Sequence, residues 1–475
     1  MTFAQALYAT EVAFILYFIA INCAYVLLDL FALAAMKRHL DQHTLDQFPQ
    51  SYSGLEPPIS VLVPAHDEEV TITASVRSIL QLEYPEYEVI VINDGSRDAT
   101  LQVLIDEFRM VPFPQAYRQQ LACGPIRGIY RSTKFENLRL IDKENGGKSD
   151  ALNAGINAAR FPLFCAVDAD SILQRDSLRR IVDPFLEDPQ TIASGGTVRI
   201  ANGCRVEGGF LTEIGLPGKL LPAFQIVEYL RGFLFGRLGW TSLNAVMVIS
   251  GAFGVFRRQA VIEAGGYRNE CMGEDMELVV RLHRLHRESG RPYRISFVPD
   301  PICWTEAPES LEVLKNQRVR WQRGLSESLA LNRELLFHRR GGVVGWVAMP
   351  FMVLFEWISP IVEFTGYVFM LAGFALGLVA FEVLALFFMV ALGFGMLLSV
   401  SALLLEEMSF HIYPKPRQLL ALLAVAVLEN FGYRQLVTFY RLIGMWRWAT
   451  GSKSSWGTMT RAGSWNGRPY GNGRP

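Results

Sequence analysis

Apolar residues run almost unbroken from Val12 to Met36, with Asp29 as the one charge, and return in a second apolar block over about 343–445. Between these blocks the pattern changes. Short apolar runs alternate with amphipathic stretches from Ile59 onward. Ile59–Val63 ends in Pro64, Glu88–Ile92 ends in Asn93-Asp94-Gly95-Ser96, and Leu163–Val167 ends in Asp168. Helical periodicity lies between the runs at about 70–81, 98–108 and 148–159. Strands alternating with helices predict a parallel sheet covered on both faces. Ligands of such sheets bind beyond the carboxyl ends of the strands. Each run here ends in polar or acidic residues, so those ends are expected to converge on one edge as a nucleotide site. No repeat of fixed period is present, which argues against a solenoid.

The first apolar block is long enough for a spanning helix, which needs about 20 residues. It is too long for a signal-peptide core and has no basic region before it, so cleavage is not expected. Lys37, Arg38 and His39 follow it, while the residues before Val12 hold no Lys or Arg. The positive-inside rule then places the N-terminus outside and residue 37 onward in the cytoplasm. In the second block, Phe364–Phe381 and Val383–Leu405 read as two spans joined at Glu382, and Lys415 and Arg417 mark a cytoplasmic loop. Val343–Ile358 carries Pro350, Glu356 and Trp357 and precedes Pro360, the signature of an interfacial helix. Leu419–Leu428 is apolar but is followed by Glu429, Asn430, Arg434 and Arg441. A re-entrant helical pair keeps these arginines on the cytoplasmic face, and so does a true span at 343–358; both readings stay open. The expected organisation is an N-terminal span (1–40), a cytoplasmic catalytic domain (41–335), interfacial and membrane helices (336–450) and a tail (451–475). The Gly/Arg/Pro/Asn-rich end of that tail predicts disorder.

Composition adds little to this division. Hydrophobic residues make up 51% and charged residues 19%, an apolar excess that the two blocks account for. Net charge is −1, so no basic excess points to nucleic acid. The six cysteines are scattered without a Cys-x-x-Cys pair, which fits reduced thiols rather than a disulfide framework or a zinc site.

The chemistry sits at the strand ends. Asp168-Ala169-Asp170 follows the run Leu163–Val167; if the segment is extended, both carboxylates fall on one face. Hard oxygen ligands of this kind suit Mg²⁺ or Mn²⁺ bridging to substrate phosphates. Asp94-Gly95 is ordinary turn chemistry, or a carboxylate that accepts from a base N–H. Asn145-Gly146-Gly147-Lys148-Ser149 opens a helix; it is either a plain capped start or a phosphate cradle with Lys148 at the helix N-terminus. It lacks the spacing of a Walker A loop. Gly273-Glu274-Asp275 begins the stretch Met276–Leu285. Acids favour a helix N-terminus through its dipole, and one of them is also a candidate general base. Adjacent side chains diverge, so only one of the two is expected to face an acceptor. Ser250–Gly254 is small and flexible enough to line a sugar. In Gln317-Arg318-Val319-Arg320-Trp321, Arg offers a planar fork for phosphate and Trp a flat face for a sugar ring.

These pieces, with Pro64-Ala-His-Asp-Glu68-Glu69, occur in an order that resembles the membrane-integrated family 2 glycosyltransferases, the superfamily of cellulose, chitin, hyaluronan and poly-N-acetylglucosamine synthases. The resemblance covers about residues 57–325. It implies an α/β GT-A domain, Rossmann-like with a mostly parallel sheet, fused to transmembrane and interfacial helices. It further implies inverting transfer of N-acetylglucosamine or glucose from a UDP-sugar, with Mg²⁺ or Mn²⁺, to the hydroxyl of a growing β-linked polysaccharide at the inner membrane. Asp94 would contact the uracil and Lys148 the diphosphate. Asp168 and Asp170 would hold ribose and metal, with Glu68 also on the donor side. Asp275 would be the base, Arg320 would steady the pyrophosphate, and Trp321, with Glu274 and Gln317, would meet the acceptor. Membrane lipid is an expected neighbour, and subunits for export are compatible with this reading. The sequence departs from the family at His66-Asp67, where an aromatic and an Asn are commoner, and at Gly273, where polymer synthases often carry Thr. The alternative is transfer of a single sugar to a polyprenyl phosphate or other lipid, which Trp321 disfavours. A non-catalytic membrane scaffold is disfavoured because each proposed catalytic position is filled.

Overall fold

The computed structural model describes residues 2–45, 54–207 and 209–451. The tail expected from residue 451 lies outside the described residues from 452 onward. The described residues divide into two compact units, neither continuous in sequence. One takes the described residues of Met1–His39, Lys219–Ala245 and Pro308–Gly457; the other takes those of Leu40–Gly218 and Val246–Ala307.

The second unit is built on a ten-stranded sheet. Its strands are β1 (Ile59–Ala65), β2 (Tyr87–Asp94), β3 (Met110–Pro112), β4 (Ile126–Ser132), β5 (Leu138–Lys143), β6 (Leu163–Val167), β7 (Ile172–Leu173) and β8 (Thr191–Ile200), followed by β11 (Phe253–Arg257) and β12 (Arg294–Thr305). The short strands β9 (Arg205–Glu207) and β10 (Phe210–Glu213) pair with each other alone. The order is β3-β4-β5-β2-β1-β6-β11-β8-β12-β7. β5, β2, β1 and β6 run parallel, as the apolar runs at β1, β2 and β6 predict; β5 carries no such run, and β11 enters antiparallel between β6 and β8. Helices Ile72–Ile79, Thr100–Phe108 and Lys148–Ala158 connect the parallel strands and match the expected helical stretches. Val61, Leu62, Val63 and the run Val89–Ile92 are fully buried. A parallel sheet covered on both faces requires this. Chain order reverses at β1, with β2 on one side and β6 on the other. The carboxyl ends of β5, β2, β1 and β6 therefore open a crevice at a topological switch point.

The first unit is helical. Helices Phe3–Asp41 and Phe381–Ser409 are long and apolar enough to cross a membrane. Two further pairs, Val344–Trp357 with Ser359–Ala375 and Pro416–Leu428 with Tyr433–Ala449, are bent by 40° and 56° and pass the same test only as pairs. The expected span Phe364–Phe381 is corrected by this. Its helix ends at Ala375, where Gly377 takes a left-handed φ of 70°, and the next helix starts at Phe381, so the break precedes Glu382. The polar residues after Leu428 are paired inside the unit. Arg231 meets Glu429 at 2.6 Å, Arg441 Nε donates to Gln322 at 2.8 Å, and Arg434 donates to Asn430 at 2.9 Å. Charges among apolar helices persist only when paired in this way.

Leu62 lies fully buried beneath the helix Lys148–Ala158, within van der Waals reach of Gly155. Leu62→Ala should lower stability by about 2–5 kcal/mol, read as a fall in the melting temperature of the purified protein. An unchanged melt would contradict the packing described.

Candidate functional site

The crevice begins with a carboxylate that is not free. Asp94, at the end of β2, is buried. Its Oδ1 accepts from Lys143 Nζ at 2.7 Å and from the Gly146 N–H at 3.0 Å, and its Oδ2 from the Gly147 N–H at 2.7 Å. Asn145 Nδ2 and the His66 ring both lie 2.9 Å from the Asp94 carbonyl oxygen. Gly95 has φ of 64°, and a Cβ at that position would meet the Asn145 nitrogen at 2.6 Å. The Asp-Gly turn and the Gly-Gly-Lys loop thus pack backbone against backbone.

Lys143, at the end of β5, is the ion that makes this arrangement affordable. It is fully buried, with its ammonium 2.7 Å from Asp94 and 2.5 Å from Asp150 in the first turn of the helix Lys148–Ala158. Asp150 also accepts from the Gly124 N–H at 3.0 Å. Burial alone would lower the lysine pKa, but the hydrogen bonds that the ammonium donates to Asp150 and Asp94 outweigh it and hold the value above normal. Sequence reasoning missed Lys143 and Asp150. The only available signals were a lysine closing an apolar run and an acid in a first helical turn, and both are commonplace.

Lys148 projects from the N-terminus of its helix and is half-buried. Its ammonium lies 2.5 Å from Asp168 Oδ1 and 3.5 Å from Glu274 Oε1, and it donates to the Gly251 carbonyl at 3.3 Å. Burial opposes the charge, yet Asp168 and Glu274 outweigh it and raise the pKa, so the group is cationic at neutral pH. Asp275 reaches the same segment from the other side, its Oδ2 accepting the Gly251 N–H at 3.1 Å. Its Oδ1 accepts the Met276 N–H at 2.8 Å. Both acids engage the Lys148–Gly251 pair, Glu274 through the ammonium and Asp275 through the amide. They stand at the first residues of the helix Glu274–Ser289, where no preceding turn screens one from the other.

The aspartate pair also differs from expectation. β6 stops at Val167, and Asp168 opens a tight turn in which the Ser171 N–H donates to the Asp168 carbonyl at 3.0 Å. Strand alternation therefore does not align the two carboxylates; the turn presents Asp168 and Asp170, both half-buried, around buried Ala169. Among the described residues, no group of three or more His, Cys, Asp or Glu is arranged to hold a metal ion. Two carboxylates in a half-open turn still fit the ions that take one or two protein oxygens and complete their shell with water and phosphate.

Glu68 has structural partners. Its Oε2 accepts from Thr71 at 2.7 Å, and its carbonyl accepts the N–H groups that start the helix Ile72–Ile79. His283 is a core histidine: burial pulls its pKa down to about 4, and Tyr293 and Val246 satisfy both ring nitrogens. All six cysteines are free thiols.

Gln317, Arg320 and Trp321 stand on the helix Leu311–Leu331 of the other unit. Gln317 is buried, Arg320 is half-buried and Trp321 is 43% exposed. Arg318, within the same box, places its guanidinium 4.3 Å from the Trp321 ring centre. Glu228 holds that guanidinium at 2.8 Å and also accepts from Tyr433 at 2.6 Å. The cation–π contact and its carboxylate clamp fix the indole's orientation. In the sequence Arg318 is marked only as a member of the Gln317–Trp321 box, with no partner assigned to it.

The parallel strands of this mixed sheet bring acids and a lysine to their switch point, where α/β proteins bind nucleotides. Residues 126–324 match the family described as "Glycosyltransferase like family 2" and residues 60–122 the one described as "Glycosyl transferase family 2". The chain belongs to the family 2 glycosyltransferases, and its sheet-bearing unit has the GT-A fold. It is 30% identical over 272 residues to the poly-beta-1,6-N-acetyl-D-glucosamine synthase of Staphylococcus aureus (strain COL), covering 57% of this chain and 55% of that protein. The same-named protein of Staphylococcus epidermidis is 29% identical over the same length and shares. The chain thus spans about half the length of these curated relatives. A mannosyltransferase from Pyrobaculum calidifontis, solved with GDP-Man and Mn²⁺, aligns at a TM-score of 0.50 and 16% identity over 93% of this chain and 100% of that one, which is a likeness of fold.

Lys143→Met should cost on the order of 3–5 kcal/mol, because Asp94 and Asp150 stay buried without their cation. Melting of the purified protein should show the loss, and adding Asp94→Asn with Asp150→Asn should recover part of it. No recovery would mean that the ammonium does not neutralise the pair. The sign of the pH dependence follows from the raised folded pKa. The contribution is complete below the ordinary lysine value of 10.5 and is lost as pH rises through the raised one.

Proposed function

We propose that this chain transfers a hexose, N-acetylglucosamine or glucose, from a UDP-sugar to the hydroxyl of a growing β-linked polysaccharide. The observation that carries the reading is the placement of cationic Lys148 between Asp168 and Glu274 at the carboxyl edge of the sheet, with Asp275 held on the same Gly251 segment. The names of the staphylococcal relatives support the polymer and the N-acetylglucosamine donor.

In this reading the UDP-sugar lies along the crevice. Lys148 meets the diphosphate from the helix N-terminus, where backbone N–H groups also favour an anion. Asp94 holds the Gly146-Gly147 loop against the end of β2 and so sets the floor beneath the nucleotide, with Glu68 bracing the neighbouring loop. Asp168 and Asp170 would hold Mg²⁺ or Mn²⁺, which supplies charge neutralisation for the leaving diphosphate. Asp275, fixed by two backbone amides, takes the proton of the acceptor hydroxyl as its oxygen bonds to the anomeric carbon. The bond to UDP breaks on the opposite side with its electron pair, which inverts the configuration to β. Arg320 at the pyrophosphate, and Trp321 with Gln317 and Glu274 at the acceptor, keep the roles that the family resemblance gives them.

We assign the chain to the inner membrane as a multi-pass protein, with the catalytic domain at about 41–335 in the cytoplasm. The two apolar helices and the basic residues Lys37 and Arg38 support this. Membrane lipid and export subunits are the partners this placement implies.

A panel of UDP-sugars given to the purified protein with Mg²⁺ or Mn²⁺ tests the reading. UDP release with one donor, and a product cut by a β-specific glycosidase, is the expected result. A product that partitions into organic solvent would instead support transfer to a lipid. Asp275→Asn should lower turnover by at least about a hundredfold while UDP affinity, measured by calorimetry, stays near wild type; unchanged turnover removes the base assignment. Asp170→Ala should abolish the dependence of UDP release on added metal, and a retained metal response would place the ion elsewhere.

A further inference from the structure

Residues 332–347, from the end of the helix Leu311–Leu331 into the start of the first bent apolar pair, fold into a tight strap that holds two large aromatics outward. Phe337 is 54% exposed and Trp346 is 55% exposed. Their rings meet edge to face with centroids 5.3 Å apart. The strap is built rather than loose. The Phe337 N–H donates to the Gly345 carbonyl at 3.0 Å, and Trp346 Nε1 donates to the His338 carbonyl at 3.0 Å. The Arg340 N–H donates to His338 Nδ1 at 3.2 Å. A Cβ on Gly345 would stand 2.6 Å from the Leu335 carbonyl oxygen, so the two ends of the strap touch through backbone. Phe337 itself has a φ of 55°, a sparsely populated conformation for a bulky residue. The fold bears that strain and still leaves both rings uncovered.

The charges beside the rings indicate what covers them. Arg333, Arg339 and Arg340 are exposed on the same strap, against the single acid Glu334. Aromatic rings flanked by arginines match the headgroup level of an anionic bilayer, where the rings sit at the polar boundary and guanidinium groups meet phosphate. Continuity points the same way. Trp346 lies within Val344–Trp357, the first half of an apolar pair that passes as membrane-spanning with Ser359–Ala375. We propose that Phe337 and Trp346 form a preorganised wedge that enters the headgroup layer of anionic phospholipids, with Arg339 and Arg340 on the lipid phosphates. The inference rests on the membrane placement proposed above and not on the transfer chemistry.

The test uses full-length protein in bilayer discs of phosphatidylcholine with a rising share of phosphatidylglycerol brominated near the top of its acyl chains. The difference in tryptophan emission between wild type and Trp346→Phe isolates the Trp346 signal. That difference should be quenched as brominated lipid rises. Arg339→Gln should weaken the preference for the anionic lipid roughly fivefold, and Phe337→Ala should reduce the quenching without altering that preference. If other tryptophans are quenched but the Trp346 difference is not, the wedge is wrong while the membrane placement stands. If no tryptophan is quenched, both fail. Quenching that is indifferent to Arg339→Gln and to the lipid headgroup would overturn the anionic assignment.

Discussion

A carboxylate taken out of water at a strand end must be met by donors, and meeting Asp94 organises the crevice. An unpaired buried charge costs several kcal/mol. Lys143 and two backbone N–H groups answer it here. Those N–H groups belong to the loop that launches the helix carrying Lys148. Satisfying Asp94 therefore fixes where that helix begins, and with it where Lys148 can reach. Asp150 closes the arrangement from the first turn of the same helix. The loop, the helix N-terminus and the ends of β2 and β5 behave as one electrostatic unit rather than as separate motifs.

That unit positions the chemistry without taking part in it. Lys148 leaves it toward Asp168 and Glu274, and Gly251 links the lysine to Asp275 through its two backbone groups. Lys148, Asp275 and the aspartate turn come from the helix Lys148–Ala158, the helix Glu274–Ser289 and the end of β6, and the Gly251 segment before β11 joins the first two. In the helical unit a comparable logic holds. Glu228 fixes Arg318, and Arg318 fixes the Trp321 ring. Polar residues around the break after Leu428 are paired among the helices.

Much of this was legible in the sequence where period and burial agree. Ile59–Val63, Glu88–Ile92 and Leu163–Val167 are apolar on both faces, so a buried parallel strand was the economical reading, and each forms one. Lys148, Asp168, Glu274 and Asp275 were visible because acids and lysine at element ends carry a chemical signature. What was not legible depends on contacts between distant residues. Lys143 and Asp150 look ordinary until the sheet brings Asp94 between them. The turn after Val167 replaced the extended segment expected for Asp168 and Asp170, because a short strand gives no sign of where its last hydrogen bond falls. The break at Gly377 was displaced for a related reason: hydropathy averages over a glycine, whereas a left-handed φ ends the helix there. The grouping of Lys219–Ala245 with the apolar helices has no local signal at all.

The reading proposed for this chain puts the donor at the carboxyl edge of β5, β2, β1 and β6. A structure of the protein with UDP and Mn²⁺ tests it most directly. The diphosphate is expected within hydrogen-bond reach of Lys148, with the anomalous signal of manganese beside Asp168 and Asp170. UDP bound away from that edge, or manganese held by other residues, would contradict it.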